Sequence, residues 1–306
     1  MLWNGTENGP RAFWRLLGAC GGMFIGVFIL PSVLFGGAEL PVSVAGVAVS
    51  LTSALVILTM AVVSARDIDR RPLVAYGLDF SPLWLKEFTV GSLVALVGIA
   101  VALLVNLLAG WATVSELVSR GAGANTLPFA LSFGVYTAQW LLTAFWEELM
   151  FRGLVLTNAV EPLRSSRISD RGAVVAGVVV SSVIFTVLYF PGLIGAFGFR
   201  MILGVLLGAA YVWANSLALP IGLHIMTNFA MNTIYGLTNV FKPGAQAAML
   251  IRLTYTGPSE FVQLYGIVNA GVVLCVVAFT CGYVLLRNSD FSSEFSSTYI
   301  QKPSSE

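Results

Sequence analysis

Charge is scarce in this chain. Only 10% of its 306 residues are Asp, Glu, Lys or Arg, 57% are hydrophobic, and mean hydropathy reaches +0.87. A soluble globular domain carries about 25% charged residues, so a water-soluble fold is excluded for most of the length. Net charge is only +1, too little to attract nucleic acid, and no nucleic-acid partner is expected. Cysteine is rare as well: Cys20, Cys275 and Cys281 fall in apolar runs without metal-ligand spacing, which argues against a disulfide framework or a cysteine zinc site. Histidine is rarest, with His224 alone. One histidine cannot build a three-histidine or HExxH metal cage.

What is abundant is long apolar runs. A spanning helix needs about 20 mostly apolar residues, and such runs fall at 12–36, 42–65, 87–110, 128–157, 173–190, 196–215, 217–235 and 262–287. The expected fold is an all-α polytopic transmembrane bundle of about eight spans, a single domain over 1–288 with its functional core at 125–235. The serine-rich 289–306 reads as a disordered cytoplasmic tail. Arg11, Arg15, Arg66, Arg70, Arg71, Lys86, Arg164, Arg167, Arg171, Arg287 and Lys302 lie on one set of connections, and only Arg120, Arg200, Lys242 and Arg252 on the other. That imbalance puts both termini in the cytoplasm of a multi-pass cell-membrane protein. Residues 66–86 suit a loop with an interfacial helix, while 111–127 and 236–261 read as outer loops broken by Pro243, Gly244, Gly257 and Pro258.

Against this background three charges in one span stand out. In "AFWEELMFRGLVL" Glu148 and Arg152 are one turn apart, on one face and able to pair, whereas Glu147 points about 100° away and is left free. Charges at a helix centre cost about 2.5–3.5 kcal/mol each on insertion scales, so they mark a functional cavity or an interhelical clamp. In "GLHIMTNF", His224 and Asn228 also share a face and offer a ring nitrogen and an amide to one point, as an oxyanion site requires. The same pair could be helix glue. Phe185 and Tyr189 lie one turn apart in "SSVIFTVLYFPG", and Gly204 and Gly208 in "GVLLG" are spaced for close helix contact.

These pieces, in this order, resemble the CPBP intramembrane proteases, which include CAAX prenyl endopeptidases and bacteriocin-processing or immunity proteins. The family's EExxxR is matched by Glu147, Glu148 and Arg152, its HxxxN by His224 and Asn228, and the phenylalanine of its FxxxH by Phe185. Tyr189 stands where that motif has histidine. The resemblance implies an intramembrane endopeptidase acting on a membrane-bound or lipidated peptide or protein. Glu147 would activate the water, Glu148 and Arg152 support it electrostatically, and His224 and Asn228 hold the oxyanion. Tyr189 would take the place of the missing partner, although a phenol is neutral at pH 7 and a poor general base. No cofactor is expected; Glu147, Glu148 and His224 could in principle hold zinc, which is not the favoured reading. The alternative is a catalytically impaired relative that binds peptide or lipid as an immunity or scaffold protein. A small transporter is a third reading, because buried Glu and Arg also mark ion paths.

Overall fold

The computed structural model describes residues 3–4, 9–10, 12–38, 40, 42–120, 127–164, 168–188, 194–236, 248–258 and 282. The expected eighth span, the serine-rich tail, Tyr189, Cys275 and Cys281 lie outside the described residues.

Helices dominate because the apolar runs offer no period-2 alternation and every backbone amide inside a bilayer must be satisfied within its own segment. A two-residue pairing of β1 (Trp3–Asn4) with β2 (Gly9–Pro10) precedes the first rod, which is α1 (Ala12–Phe24), a π-type turn and α2 (Leu30–Phe35); α3 (Val42–Val63) and α4 (Pro82–Leu108) follow. Next come α5 (Phe129–Glu148), a π-type segment (Leu149–Leu156) and α6 (Thr157–Arg164), forming one continuous rod. The last helices are α7 (Asp170–Leu188), α8 (Ile194–Ala214) and α9 (Ala218–Phe229), and α9 ends in a π-type turn, Ala230–Ile234. Five helical stretches among the described residues are long and apolar enough to cross a membrane: Trp14–Phe35, Val44–Ile68, Pro82–Leu108, Asp170–Leu188 and Phe197–Ala214. The protein is thus a multi-pass membrane protein built as an all-α bundle. The α5 rod and α9, which bear the charged motifs, pack at its core.

Local chemistry sets the helix starts. Ser81 caps α4 by accepting from the Trp84 amide, with Pro82 in the first turn where no amide hydrogen is needed. At the head of α9 the Ser216 hydroxyl accepts from the Ala218 amide at 3.1 Å. The Leu217 amide donates to the Gly77 carbonyl at 3.0 Å, which joins the segment before α4 to α9. Gly77 has φ +86, and a Cβ there would lie 2.6 Å from the Leu217 nitrogen, so both its backbone and its neighbour demand glycine.

Two connections differ from expectation. Residues 66–86 hold no interfacial helix but a π-type turn (Ser64–Ile68) and a short 3-10 turn (Leu73–Tyr76). Tyr76 is fully buried and donates its hydroxyl to Asp69, which also accepts from Arg15 at 2.7 Å. Burial first, and the Asp69 carboxylate next, push the Tyr76 phenol well above its ordinary range, so it is a permanent donor. The segment is therefore tucked into the bundle, because its aromatic has a buried acid to satisfy it. The expected outer loops contain β3 (Ala112–Ser119) and β4 (Met249–Tyr255), which pair antiparallel from Ala112↔Tyr255 to Ser119↔Met249. Arg252 faces Glu116 across the ribbon at 3.4 Å.

The closest helix contact is between α4 and α9. A Cβ on Gly222 would sit 2.2 Å from the Phe88 carbonyl oxygen, and one on Gly91 would sit 2.5 Å from that of Leu219. Both obstacles are backbone, which cannot rotate away. Gly222→Ala is therefore expected to lower stability by about 1–3 kcal/mol through forced separation of the helices; thermal unfolding of the detergent-solubilised protein measures it.

Candidate functional site

The site is assembled where the α5 rod meets α8 and α9. At the end of α5 the winding changes to π-type turns over Leu149–Leu156, a local widening common at functional sites. Hydroxyls serve carbonyls there: Ser181 of α7 donates to the Phe151 oxygen at 2.7 Å, and Thr157 donates to the Arg152 oxygen at 3.3 Å. Arg152 is fully buried. Its Nη1 donates to Glu148 Oε1 at 2.9 Å, so the expected one-turn pair is present, and its Nη2 donates to the Gly204 carbonyl of α8 at 3.0 Å. A Cβ on Gly204 would lie 3.0 Å from Ser182 Cβ, and one on Gly208 the same distance from Val178 Cγ1, so the glycine pair brings α8 against α7.

Glu148 Oε1 has a second contact, His224 Nδ1 of α9 at 2.6 Å. That oxygen already accepts from a guanidinium, so at this contact the oxygen acts as acceptor and Nδ1 as donor. The opposite ring nitrogen, Nε2, lies 3.4 Å from Glu147 Oε2. Glu147 is therefore not left free, as its helical angle suggested. Two consecutive carboxylates diverge by about 100° around a helix, and an imidazole whose nitrogens lie on separate edges fits between them.

Phe185 completes the packing. Its ring lies 5.2 Å from Arg152 Cζ, stands edge-on to His224 at 6.3 Å, and meets Phe151 in a T-shaped contact at 5.0 Å. A phenylalanine expected on motif grounds thus proves to be a wall against both the cation and the imidazole. The Gly204 carbonyl as an Arg152 acceptor leaves no signature in the sequence, where the glycine spacing points only to close packing.

Exposure separates the acids. The Glu148 side chain is 0% accessible, Arg152 1% and His224 3%, while Glu147 reaches 9%. Glu147 is the acid of the pair that reaches toward the outside. Asn228, half-buried, sits one turn beyond His224 on the same side of α9; among the described residues no hydrogen bond joins its amide to the cluster. The clamp and glue readings are partly realised, because Arg152 ties α5 to α8 and His224 ties α5 to α9. The position of Tyr189 falls outside the described residues.

Zinc wants four ligands in tetrahedral array. Glu148 Oε1 and His224 Nδ1 are spent on each other, with a guanidinium on the same oxygen, which leaves Glu147, Glu148 Oε2 and Nε2, one group short of four. Among the described residues no group of three or more His, Cys, Asp or Glu side chains is disposed to hold a metal. The donor set fits a metal poorly.

Residues 129–230, a third of the chain, match the family model described as type II CAAX prenyl endopeptidase Rce1-like. No curated protein and no solved structure gives a match. The matched segment begins with α5 and ends just past α9, so it holds every residue of the cluster.

The ion pair makes a direct prediction about stability. Removing one partner of a buried pair strands the other charge at a cost of about 3–5 kcal/mol, whereas replacing both with apolar groups is often neutral. Arg152→Leu is expected to destabilise by that amount. The double change Arg152→Leu with Glu148→Leu should recover part of the loss, less whatever His224 and the Gly204 carbonyl forfeit. A double-mutant cycle read by thermal unfolding gives both numbers.

Proposed function

We propose that this protein is an intramembrane endopeptidase of the CPBP/CAAX type, hydrolysing a peptide bond of a membrane-bound or lipidated substrate; the match of residues 129–230 to the Rce1-like family model supports this reading. The observation that supports this most directly is the imidazole of His224 between two glutamates, one sealed by Arg152 and the other partly accessible.

Glu147 is the general base. It takes a proton from a water whose oxygen attacks the scissile carbonyl. Glu148, held by Arg152, fixes the imidazole in its Nδ1–H form, as a buried carboxylate orients the histidine of a catalytic triad. In its doubly protonated form, with Nε2–H opposite the edge held by Glu148, His224 stabilises the oxyanion of the tetrahedral intermediate together with the Asn228 amide one turn along α9. Tyr189 occupies the sequence position of the FxxxH histidine, and a phenol is neutral at pH 7. The reaction drawn in this way uses water and the side chains alone. Both termini face the cytoplasm and the site opens to that side, in accord with the basic residues on the inner connections.

Tyr189 favours a second reading, in which a catalytically impaired relative binds peptide or lipid in the same place. Cleavage of a library of membrane-anchored peptides by reconstituted protein separates the two. An active wild type is expected to lose about 10² to 10⁴ in rate on Glu147→Ala, and cleavage that survives this change would refute the assigned base. A wild type inert throughout the library that gains cleavage on Tyr189→His would establish the impaired relative instead.

A further inference from the structure

The ribbon of β3 and β4 has two unlike faces, and a bulge makes them so. Residues directly opposite in an antiparallel pair point to the same side. The register Ala112↔Tyr255, Val114↔Leu253 and Leu117↔Ile251 therefore gathers apolar side chains on one face, while Thr113↔Thr254 and Glu116↔Arg252 fall on the other. Strict alternation along β3 would put Glu116 on the side of Val114. The irregularity between those residues leaves Ser115 without an opposite number, and its hydroxyl donates to the Arg252 carbonyl at 3.1 Å. That one extra residue turns Glu116 to the polar face and Leu117 to the apolar one. Toward the Ser119 end, Val118 and Leu250 interrupt the polar face.

Protein covers only half of the apolar face. On β4, Leu253 is buried in a cluster with Ile99 and Leu103 of α4 and with Ala230 and Met231 beyond α9, and Ile251 and Tyr255 pack against it. On β3, Val114 is 48% and Leu117 68% exposed although they share that face. The outer strand thus overhangs the edge of the bundle. It starts just past the end of α4, a membrane-crossing helix whose unburied flank ends in the exposed Leu104 and Leu108. The base of the ribbon is fixed there, since the Thr256 and Gly257 amides donate to the Trp111 carbonyl at 2.9 and 3.1 Å.

We propose that the overhanging strip of β3 rests on the bilayer, with lipid as its partner, so that the ribbon is a membrane-seated platform across the end of α9. The occupant follows from continuity: the lipid-facing flank of α4 runs directly into the strand that bears Val114 and Leu117. The backbone bounds the depth. The sheet has two strands, so β3 has no further strand along its outer edge among the described residues, and unpaired amides and carbonyls are not tolerated in hydrocarbon. The strand therefore lies at the headgroup boundary, where an apolar face sinks about 5–10 Å and water still reaches its edge. Glu116 and Arg252, paired at 3.4 Å and exposed, point away from the acyl chains on the polar face. This seating does not depend on the chemistry of the buried cluster.

Spin labels test it in the full chain, reconstituted in vesicles of phosphatidylcholine and phosphatidylglycerol. Labelled Leu117→Cys is compared with labelled Thr254→Cys on the opposite face, and the parent protein with its own three cysteines is labelled in parallel as background. Relaxation by oxygen, which concentrates in lipid, is expected to exceed relaxation by a water-soluble nickel chelate for Leu117→Cys, and the order is expected to reverse for Thr254→Cys. A nickel-dominated signal from Leu117→Cys overturns the proposal, because the strip then faces water. A label that neither reagent reaches overturns it as well, because protein, whether a second copy or another segment of this chain, then covers the strand. Should Leu117→Cys fail to fold, Val114→Cys on the same face gives the same readout.

Discussion

The buried contact from Arg152 through Glu148 to His224 is the constraint from which the rest of this structure takes its shape. Ions sealed inside a membrane bundle survive only if each finds its partners, and here the pair on one rod also reaches two other helices. The guanidinium reaches the α8 backbone at Gly204, the carboxylate reaches the α9 imidazole, and both start from the α5 rod. The three helices cannot slide past one another without stranding a charge. An apolar bundle in lipid has no hydrophobic force to hold its register, so a polar node at its centre fixes what packing alone would leave open.

Such a node tolerates little displacement, and the surrounding contacts limit it. The start of α9 is tied to Gly77 through the Leu217 amide, and its flank is pressed against α4 through Gly222 and Gly91. Phe185 closes the side facing Arg152 and His224. The segment that presents Gly77 is itself anchored by Tyr76 and Arg15 on Asp69. A hydrogen bond of 2.6 Å to an imidazole is thus supported from several elements, and the glycines concerned serve the site although none touches it.

How much of this could be read from the sequence follows from the range of each interaction. Scarce charge and long apolar runs announced a membrane bundle, because the bilayer imposes its requirement on every residue of a span. The pairing of Glu148 with Arg152 was legible because one helical turn is a local distance. The approach of Glu147 to His224 was not, since it depends on how two helices far apart in sequence meet, and the helical angle alone made that carboxylate look solitary. The β3–β4 ribbon escaped for a similar reason: its strands are short, largely exposed and separated by most of the core helices, so neither carries a turn signal for the other. Tyr76 looked like an interfacial aromatic until the acid that satisfies it came into view.

Adjacent glutamates differ in nothing but environment, and the environment assigns them separate duties. Glu148 lies at 0% exposure with a guanidinium on the very oxygen that meets the imidazole, so it is committed to holding the ring. Glu147, one residue earlier and 9% exposed, meets the other edge of the same ring. The imidazole is thus held between a sealed carboxyl on its Nδ1 edge and a more accessible one on its Nε2 edge. That asymmetry needs one arginine, placed one turn after the second glutamate and not the first, which is why the spacing of EExxxR carries meaning beyond the mere presence of its three charges.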